Sequence, residues 1–423
     1  MKNKPELLAP AGNMERLKTA VHFGADAVYI GTTAFSLRNL ADNFTLDEVA
    51  EAVKYCHERN VRVYVTVNAF MRDEDLTNLP ETIAALDKAG VDALIINDPS
   101  VIRIARRVAP SLSLHLSTQA NTLNSEAALF WHEQGIERIV LARELTLGEI
   151  KEMRKKLPET LELEAFVHGA MCVSYSGRCL LSNYIAGRDS NKGECVQPCR
   201  WSYEVRERGS SGEYFTLVSE RNGSFILNSR DMCMIDHLDE IADAGIVSLK
   251  IEGRMKSILY VATVVNAYRM ALDGCDMDAV RNELNQVSHR PYTTGFMLGE
   301  YGKDTFGAEM MAPDSGGYVQ DFQISAVVLD YDAEKGIAHI EQRNRFFVGD
   351  ELLILSPKDV GRSFTVTSIV NDEGESMDSA PHPCESLYIG CSEFVKAGDI
   401  LRKRSLKGNA VKISRFCCCP IGA

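Results

Sequence analysis

Glu6–Ile30 reads ELLAPAGNMERLKTAVHFGADAVYI: an apolar run to Ala9, a Pro10-Ala11-Gly12-Asn13 turn, a helical stretch to about Phe23, and a second run, Ala27–Ile30. Apolar residues three and four apart mark one face of a helix, and a short apolar run between turn residues marks a buried strand. Strand, helix and strand in that order form the unit of a parallel sheet, because parallel neighbours need a crossover between them.

The unit recurs. Val61–Val67, Ala93–Ile96, Leu112–Leu116, Arg138–Leu141, Leu161–Val167 and Val247–Ile251 continue the strands, with helices expected at Leu46–Asn60, Pro80–Ala89, Ser125–Gln134, Leu147–Lys156, Asp231–Ala244 and Ile258–Leu272. Eight strand-like runs alternating with helices predict an α/β fold, a TIM-like (β/α)8 barrel; an open doubly wound sheet is the alternative. Barrel chemistry belongs at the C-terminal strand ends. Those ends read Pro10/Gly12, Gly31, Asn68, Asn97/Asp98, Ser117/Gln119/Asn121, Arg143/Glu144, His168/Gly169 and Glu252/Arg254, polar at nearly every one.

After the seventh strand the connection is roughly sixty residues long, where about 2 to 6 is usual. Its first half carries Cys172, Cys179, Cys195 and Cys199, with six residues inside the first pair, three inside the second and fifteen between the pairs. Four thiols in a Gly-rich polar loop at a barrel mouth suit zinc or an iron-sulfur cluster, and the bland alternative is a loop with non-ligand cysteines. Cys233 could substitute as a ligand but reads better as packed. Cys417, Cys418 and Cys419 receive no role, and Cys56, Cys275, Cys384 and Cys391 are scattered.

Beyond Leu272 the period changes to two, at Ile324–Val328, Ile337–Ile340, Glu351–Leu355, Ser363–Ile369 and Ser386–Ile389. This predicts a small antiparallel β-barrel. The chain therefore divides into a barrel at 1–275 with a cysteine-rich insertion at 169–230, a connector at 276–320, the β-domain at 321–403 and a tail at 404–423. From Leu401 to Arg415 there are six basic residues and no acidic one, which reads either as an RNA-contacting arm or as a solvated tail.

The net charge of -13 argues against a generally basic nucleic-acid surface and leaves room for a local one. The N-terminus lacks a signal-peptide pattern and no apolar run approaches a membrane span, pointing to the cytoplasm and to no membrane partner. In that reducing compartment, twelve cysteines favour metal or redox use over a disulfide framework. GxSxG, HExxH and P-loop patterns are absent, which weakens any standard hydrolase reading.

Two further positions invite chemistry. His168 ends the seventh strand and could serve as general acid or base, or equally as a structural histidine. In Lys250-Ile251-Glu252-Gly253-Arg254 the charged residues alternate, so Lys250, Glu252 and Arg254 fall on one strand face, suited to an anionic substrate or to a buried ion-pair network.

Several motifs resemble the collagenase-like peptidase family, number thirty-two among the peptidases of unknown catalytic type. They are E-x-F-x-H-G-A-M-C-x-x-x-S-G-R-C from Glu164, N-x-G-x-C-x-Q-P-C-R from Asn191, N-S-x-D from Asn228, K-I-E-G-R-M-K from Lys250, and the openings P-E-L-L-A-P-A-G and G-A-D-A-V-Y-I-G. The resemblance covers the barrel and extends to the appended β-domain. It implies oxygen-independent hydroxylation, with greatest similarity to the branch that converts tRNA wobble uridine to 5-hydroxyuridine. It also implies a 4Fe-4S cluster on Cys172, Cys179, Cys195 and Cys199, with prephenate as co-substrate and tRNA and a paralogous family member as partners. Hydroxylation of a ribosomal RNA cytidine and of the ubiquinone ring occurs in other branches. The family's name carries the competing expectation of a peptidase, and a noncatalytic RNA-binding subunit is a third possibility.

Overall fold

The computed structural model describes residues 4–37, 42–172, 174, 178–201, 206–208, 214–216, 229–299 and 321–405. Eight parallel strands alternate with helices: β1 (Glu6–Pro10), α1 (Met14–His22), β2 (Ala27–Gly31), α2 (Leu46–His57), β3 (Arg62–Val67), α3 (Leu79–Ala89), β4 (Ala93–Ile96), α4 (Pro99–Val108), β5 (Ser113–Leu116), α5 (Ser125–Glu133), β6 (Arg138–Val140), α6 (Leu147–Arg154) and β7 (Glu162–Ala170). The insertion contributes α7 (Leu181–Ala186), after which α8 (Leu238–Asp243) and β8 (Ser248–Ile251) complete the ring. Closure is explicit, since β8 pairs in parallel with both β7 and β1.

Local chemistry sets the helix starts. Asn13, Asp98 and Asn124 each accept a backbone N–H of the first turn of α1, α4 and α5, and Thr45/Glu48 and Thr146/Glu149 form reciprocal capping boxes on α2 and α6. Each cap satisfies a donor that the helix cannot satisfy itself.

One helix differs from expectation. Asp231–Ala244 is not continuous: Asp231–Cys233 is a short strand antiparallel to the end of β7, and only Leu238–Asp243 is α-helical. The reason is tertiary. β7 overruns the barrel rim and needs a partner, and the Asp231 carboxylate accepts Arg290 Nη2 at 2.6 Å and Nε at 3.0 Å, both side chains buried.

The last barrel helix, α9 (Ile258–Leu272), is buried nearly all round, because it lies between β1, α1, α10 (Met277–Leu284) and the β-domain. Its polar Asn266 is satisfied from that domain, donating to Ser356 O and accepting Lys358 N. The β-domain is a seven-stranded antiparallel sheet over a core that includes Val328, Ile340, Phe346 and Leu387.

Ile400–Arg404 is a strand within this sheet, between Phe322–Asp332 and Glu351–Leu355. This corrects the reading of Leu401 onward as a tail: Arg402 is fully buried against Glu283 and Lys403 pairs with Asp350. Lys407, Lys412, Arg415 and Cys417–Cys419 lie outside the described residues. Among the described residues no helix is long and apolar enough to cross a membrane.

Candidate active site at the barrel mouth

Strand alternation sends Glu6, Arg138, Glu164, Ser248 and Lys250 into the barrel lumen, where an unpaired charge would be costly. They are paired. Arg138 Nη1 lies 2.6 Å from Glu6 and 3.4 Å from Glu164, Ser248 Oγ donates at 3.1 Å to both carboxylates, and Lys250 Nζ donates to Glu164 Oε1 at 2.8 Å. The ion-pair network weighed for Lys250 is therefore present. Its ammonium still reaches the floor of the mouth, beside the Tyr29 and Phe166 rings.

Above this floor, Arg254 is nearly buried and its guanidinium donates to Ser36 Oγ at 2.7 Å, Thr66 Oγ1 at 2.8 Å and Asn43 Oδ1 at 3.4 Å. Two glycines make its position possible: a Cβ on Gly31 would lie 2.0 Å from Arg254 Nη1, and one on Gly12 would lie 2.2 Å from Arg254 O. Glu252 accepts Arg143 Nη2 at 3.2 Å, while Arg143 also donates to Ala170 O at 2.9 Å and lies over the Phe166 ring. Arg143, Gln119, Asn68 and Lys256 belong to the site although only their strand-end or flanking positions had marked them. Their signal was polarity where a strand leaves the barrel.

His168 is a correction. The pairing of β7 with β8 slips by one residue between Phe166↔Lys250 and His168↔Ile251, so His168 shares the outward direction of Ile251 instead of following Phe166 into the lumen. It is 1 % exposed, lines neither mouth cavity, and packs among Tyr260, Tyr268 and Tyr292. Burial drives its pKa down to about 3, with Asp231 opposing the shift. A neutral, enclosed imidazole is not the mouth's acid or base.

The four insertion cysteines come together. Cys172, Cys179, Cys195 and Cys199 line one cavity of ≈ 380 Å³ with Arg143, Arg200, Glu252 and Lys256. This cavity shares Leu37, Thr118, Gln119, Arg143 and Glu252 with the mouth above Lys250 and Arg254. The loop is tethered: Ser190 Oγ and Asn191 Nδ2 donate to Cys179 O, Phe70 N donates to Asn191 O, and Ser182 Oγ lies 3.7 Å from Cys195 Sγ. Burial pushes the Cys199 thiol up to about 11; Arg200 pulls it down, and Cys172, Cys195 and Cys179 push it further up, so the four groups sense one another.

The donor set is that of a soft-metal site. Among the described residues no three His, Cys, Asp or Glu converge as a chelating group for one ion. Cys233 pairs across from His168 with a buried thiol raised to about 11 and lines neither cavity, so it does not join the four.

Comparison with known proteins matches the same two blocks. Residues 12–306 fit the model of peptidase family U32, and residues 320–402 fit the peptidase family U32 C-terminal domain. The tRNA hydroxylation protein P1 of Bacillus subtilis is 40% identical over 408 residues, covering 95% of each chain. The tRNA hydroxylation protein P of Escherichia coli is 33% identical, covering 97% of this chain and 98% of that one. The 23S rRNA 5-hydroxycytidine C2501 synthase of Escherichia coli is 37% identical over 63% of this chain and 39% of its own length. With the barrel and the β-domain both matched, this chain belongs to peptidase family U32, and it is an enzyme.

Proposed function

We propose that this enzyme hydroxylates the wobble uridine of tRNA to 5-hydroxyuridine, with a 4Fe-4S cluster on Cys172, Cys179, Cys195 and Cys199 and prephenate as co-substrate. The observation that carries the reading is the 40% identity, end to end, with a tRNA hydroxylation protein. The mouth is consistent with it. A cavity of ≈ 380 Å³ with neutral and cationic polar groups at its inner end is of a size to admit a nucleobase.

A cluster held by the four cysteines would supply redox chemistry beside the base. The chain's residues supply binding and orientation. Arg254, its Nη1 fixed by the Ser36 and Thr66 hydroxyls, brings a positive charge to the mouth for a carboxylate, and Lys250 provides a second positive charge from the floor. A dicarboxylate such as prephenate matches that pair. Arg143, oriented by Glu252 and Ala170 O, faces both cavities and stands where base and co-substrate would meet. Gln119, Asn68 and Ser117 offer the neutral donors and acceptors that a uracil edge requires.

Nucleoside mass spectrometry of tRNA tests the reading, in a strain stripped of this gene and its paralogues and complemented with wild type or Cys172→Ser. Wild type should restore 5-hydroxyuridine and Cys172→Ser should not. Undiminished 5-hydroxyuridine in the stripped strain would defeat the proposal. The family description favours peptide hydrolysis as a second reading. It requires cleavage that persists in preparations freed of other proteases and is lost on substitution of a mouth residue.

A further inference from the structure

We propose that Tyr184 and Trp201, on the exposed rim of the cysteine insertion, form a stacking platform for unpaired RNA bases beside the base that enters the mouth. The proposal rests on the tRNA reading and adds how the loop is held. Tyr184 is 85% exposed and Trp201 41%, with Leu180 at 54% and Ile185 at 44%. Four large apolar residues left in water within twenty-two positions, 180–201, form a concentration that a folded surface rarely carries without a partner.

Their placement ties them to the cavity. Tyr184 lies on α7, whose Leu181 lines the ≈ 380 Å³ space, and Trp201 directly follows Cys199 and Arg200, which line it too. α7 packs against the Pro198–Arg200 turn, and Trp201 N donates to Pro198 O, so both rings are carried by the elements that wall the cysteine site.

Charge selects the partner. Described residues 178–201 hold four basic residues against Asp189 and Glu194; Lys192 is taken up by Glu74 and Asp75, so the positive character of the segment rests on Arg178, Arg188 and Arg200, in a chain whose net charge is -13. A polyanion repelled by most of this surface is attracted here. Exposed aromatic rings carried on an arginine-bearing segment are a combination that holds single-stranded nucleic acid, since every base offers a face to stack.

The test uses the full chain purified without oxygen, a tRNA anticodon stem-loop and a blunt RNA duplex of equal length. By fluorescence anisotropy, Tyr184→Ala and Trp201→Ala should each weaken stem-loop binding about tenfold and Tyr184→Phe by less than about twofold, with duplex binding unchanged. In turnover, KM for tRNA should rise with the Ala variants while kcat at saturating RNA holds. Wild-type stem-loop affinity in both Ala variants overturns the proposal. So does a change of oligomeric state, in sedimentation, with RNA affinity intact. Failure of the tRNA reading itself is a separate result: wild type would form no 5-hydroxyuridine.

Discussion

At the residue scale, two side chains at the rim of the barrel are governed by opposite environments. His168 is held neutral by burial among three tyrosines, its pKa of about 3 lying below the ordinary 6.5. The unfolded chain therefore binds the proton more readily between those values. The stability contribution is whole above about pH 6.5 and falls as pH drops towards 3, by at most ~5 kcal/mol for the full shift. His168→Phe keeps a packed ring and removes the titration, so its acid unfolding midpoint should lie at lower pH than wild type, as followed by circular dichroism; coincident acid curves would contradict the buried neutral histidine. Arg254 depends instead on the absence of side chains around it. Gly31→Ala would place a methyl 2.0 Å from its Nη1 and 2.6 Å from Ser36 Oγ, so the guanidinium must leave its three oxygen partners. The expected outcome is a KM for the anionic co-substrate raised about tenfold or more, the loss of one charge-assisted hydrogen bond of ~1.5–3 kcal/mol. Wild-type KM would remove Arg254 from the binding site.

At the scale of elements, one slipped pairing decides what β7 offers. Period-two alternation correctly places Glu164, Phe166, Lys250, Glu252 and Arg254 near the lumen and mouth, and by the same rule it would send His168 there. The bulge between β7 and β8 breaks that rule by one residue, and no local residue preference announces it, because it arises from how two strands whose paired residues lie 83 or 84 positions apart fit together. The barrel and its closure were legible because hydrophobic period is a local quantity; the four cysteines stood out as one Gly-rich polar loop, while their spacing matched no common metal pattern and the ligand set came from the family resemblance. The strand at Asp231–Cys233 and the burial of Arg402 were not legible, since each depends on a partner distant in the chain, Arg290 in one case and Glu283 in the other. The lumen network joins β1, β6, β7 and β8 through Glu6, Arg138, Glu164 and Lys250. Glu164→Gln would leave Lys250 without its carboxylate at 2.8 Å in a fully buried position. Such uncompensated charges cost about 3–5 kcal/mol. Urea unfolding should show that loss in the midpoint, and Glu164→Gln combined with Lys250→Met should recover part of it. A single variant as stable as wild type would mean that the lumen admits water.

At the scale of the whole molecule, the β-domain is fastened to the barrel through its own strand. Arg402, central in the β-sheet, makes two 2.7 Å hydrogen bonds to Glu283 of α10, and neither side chain is exposed to solvent. Around this pair, Asn266 of α9 bonds Ser356 and Lys358, Lys358 reaches Asp273 at 2.5 Å, and His22 of α1 lies 3.2 Å from Asp399. The exposed pairs contribute little individually. The buried one dominates, because removing either partner leaves the other's charge in the interior. The two domains should accordingly unfold in a single urea transition in wild type. Arg402→Ala should cost about 3–5 kcal/mol and separate the β-domain's transition from the barrel's, whereas Arg402→Met with Glu283→Leu should restore a single transition near the wild-type midpoint, since an apolar pair of similar volume avoids desolvating two ions. Tryptophan fluorescence follows the barrel, because Trp131 and Trp201 both lie outside the β-domain, and far-ultraviolet circular dichroism follows both domains. Coincident probes in Arg402→Ala would show that the apolar packing of α9 and α10, rather than this ion pair, joins the two halves.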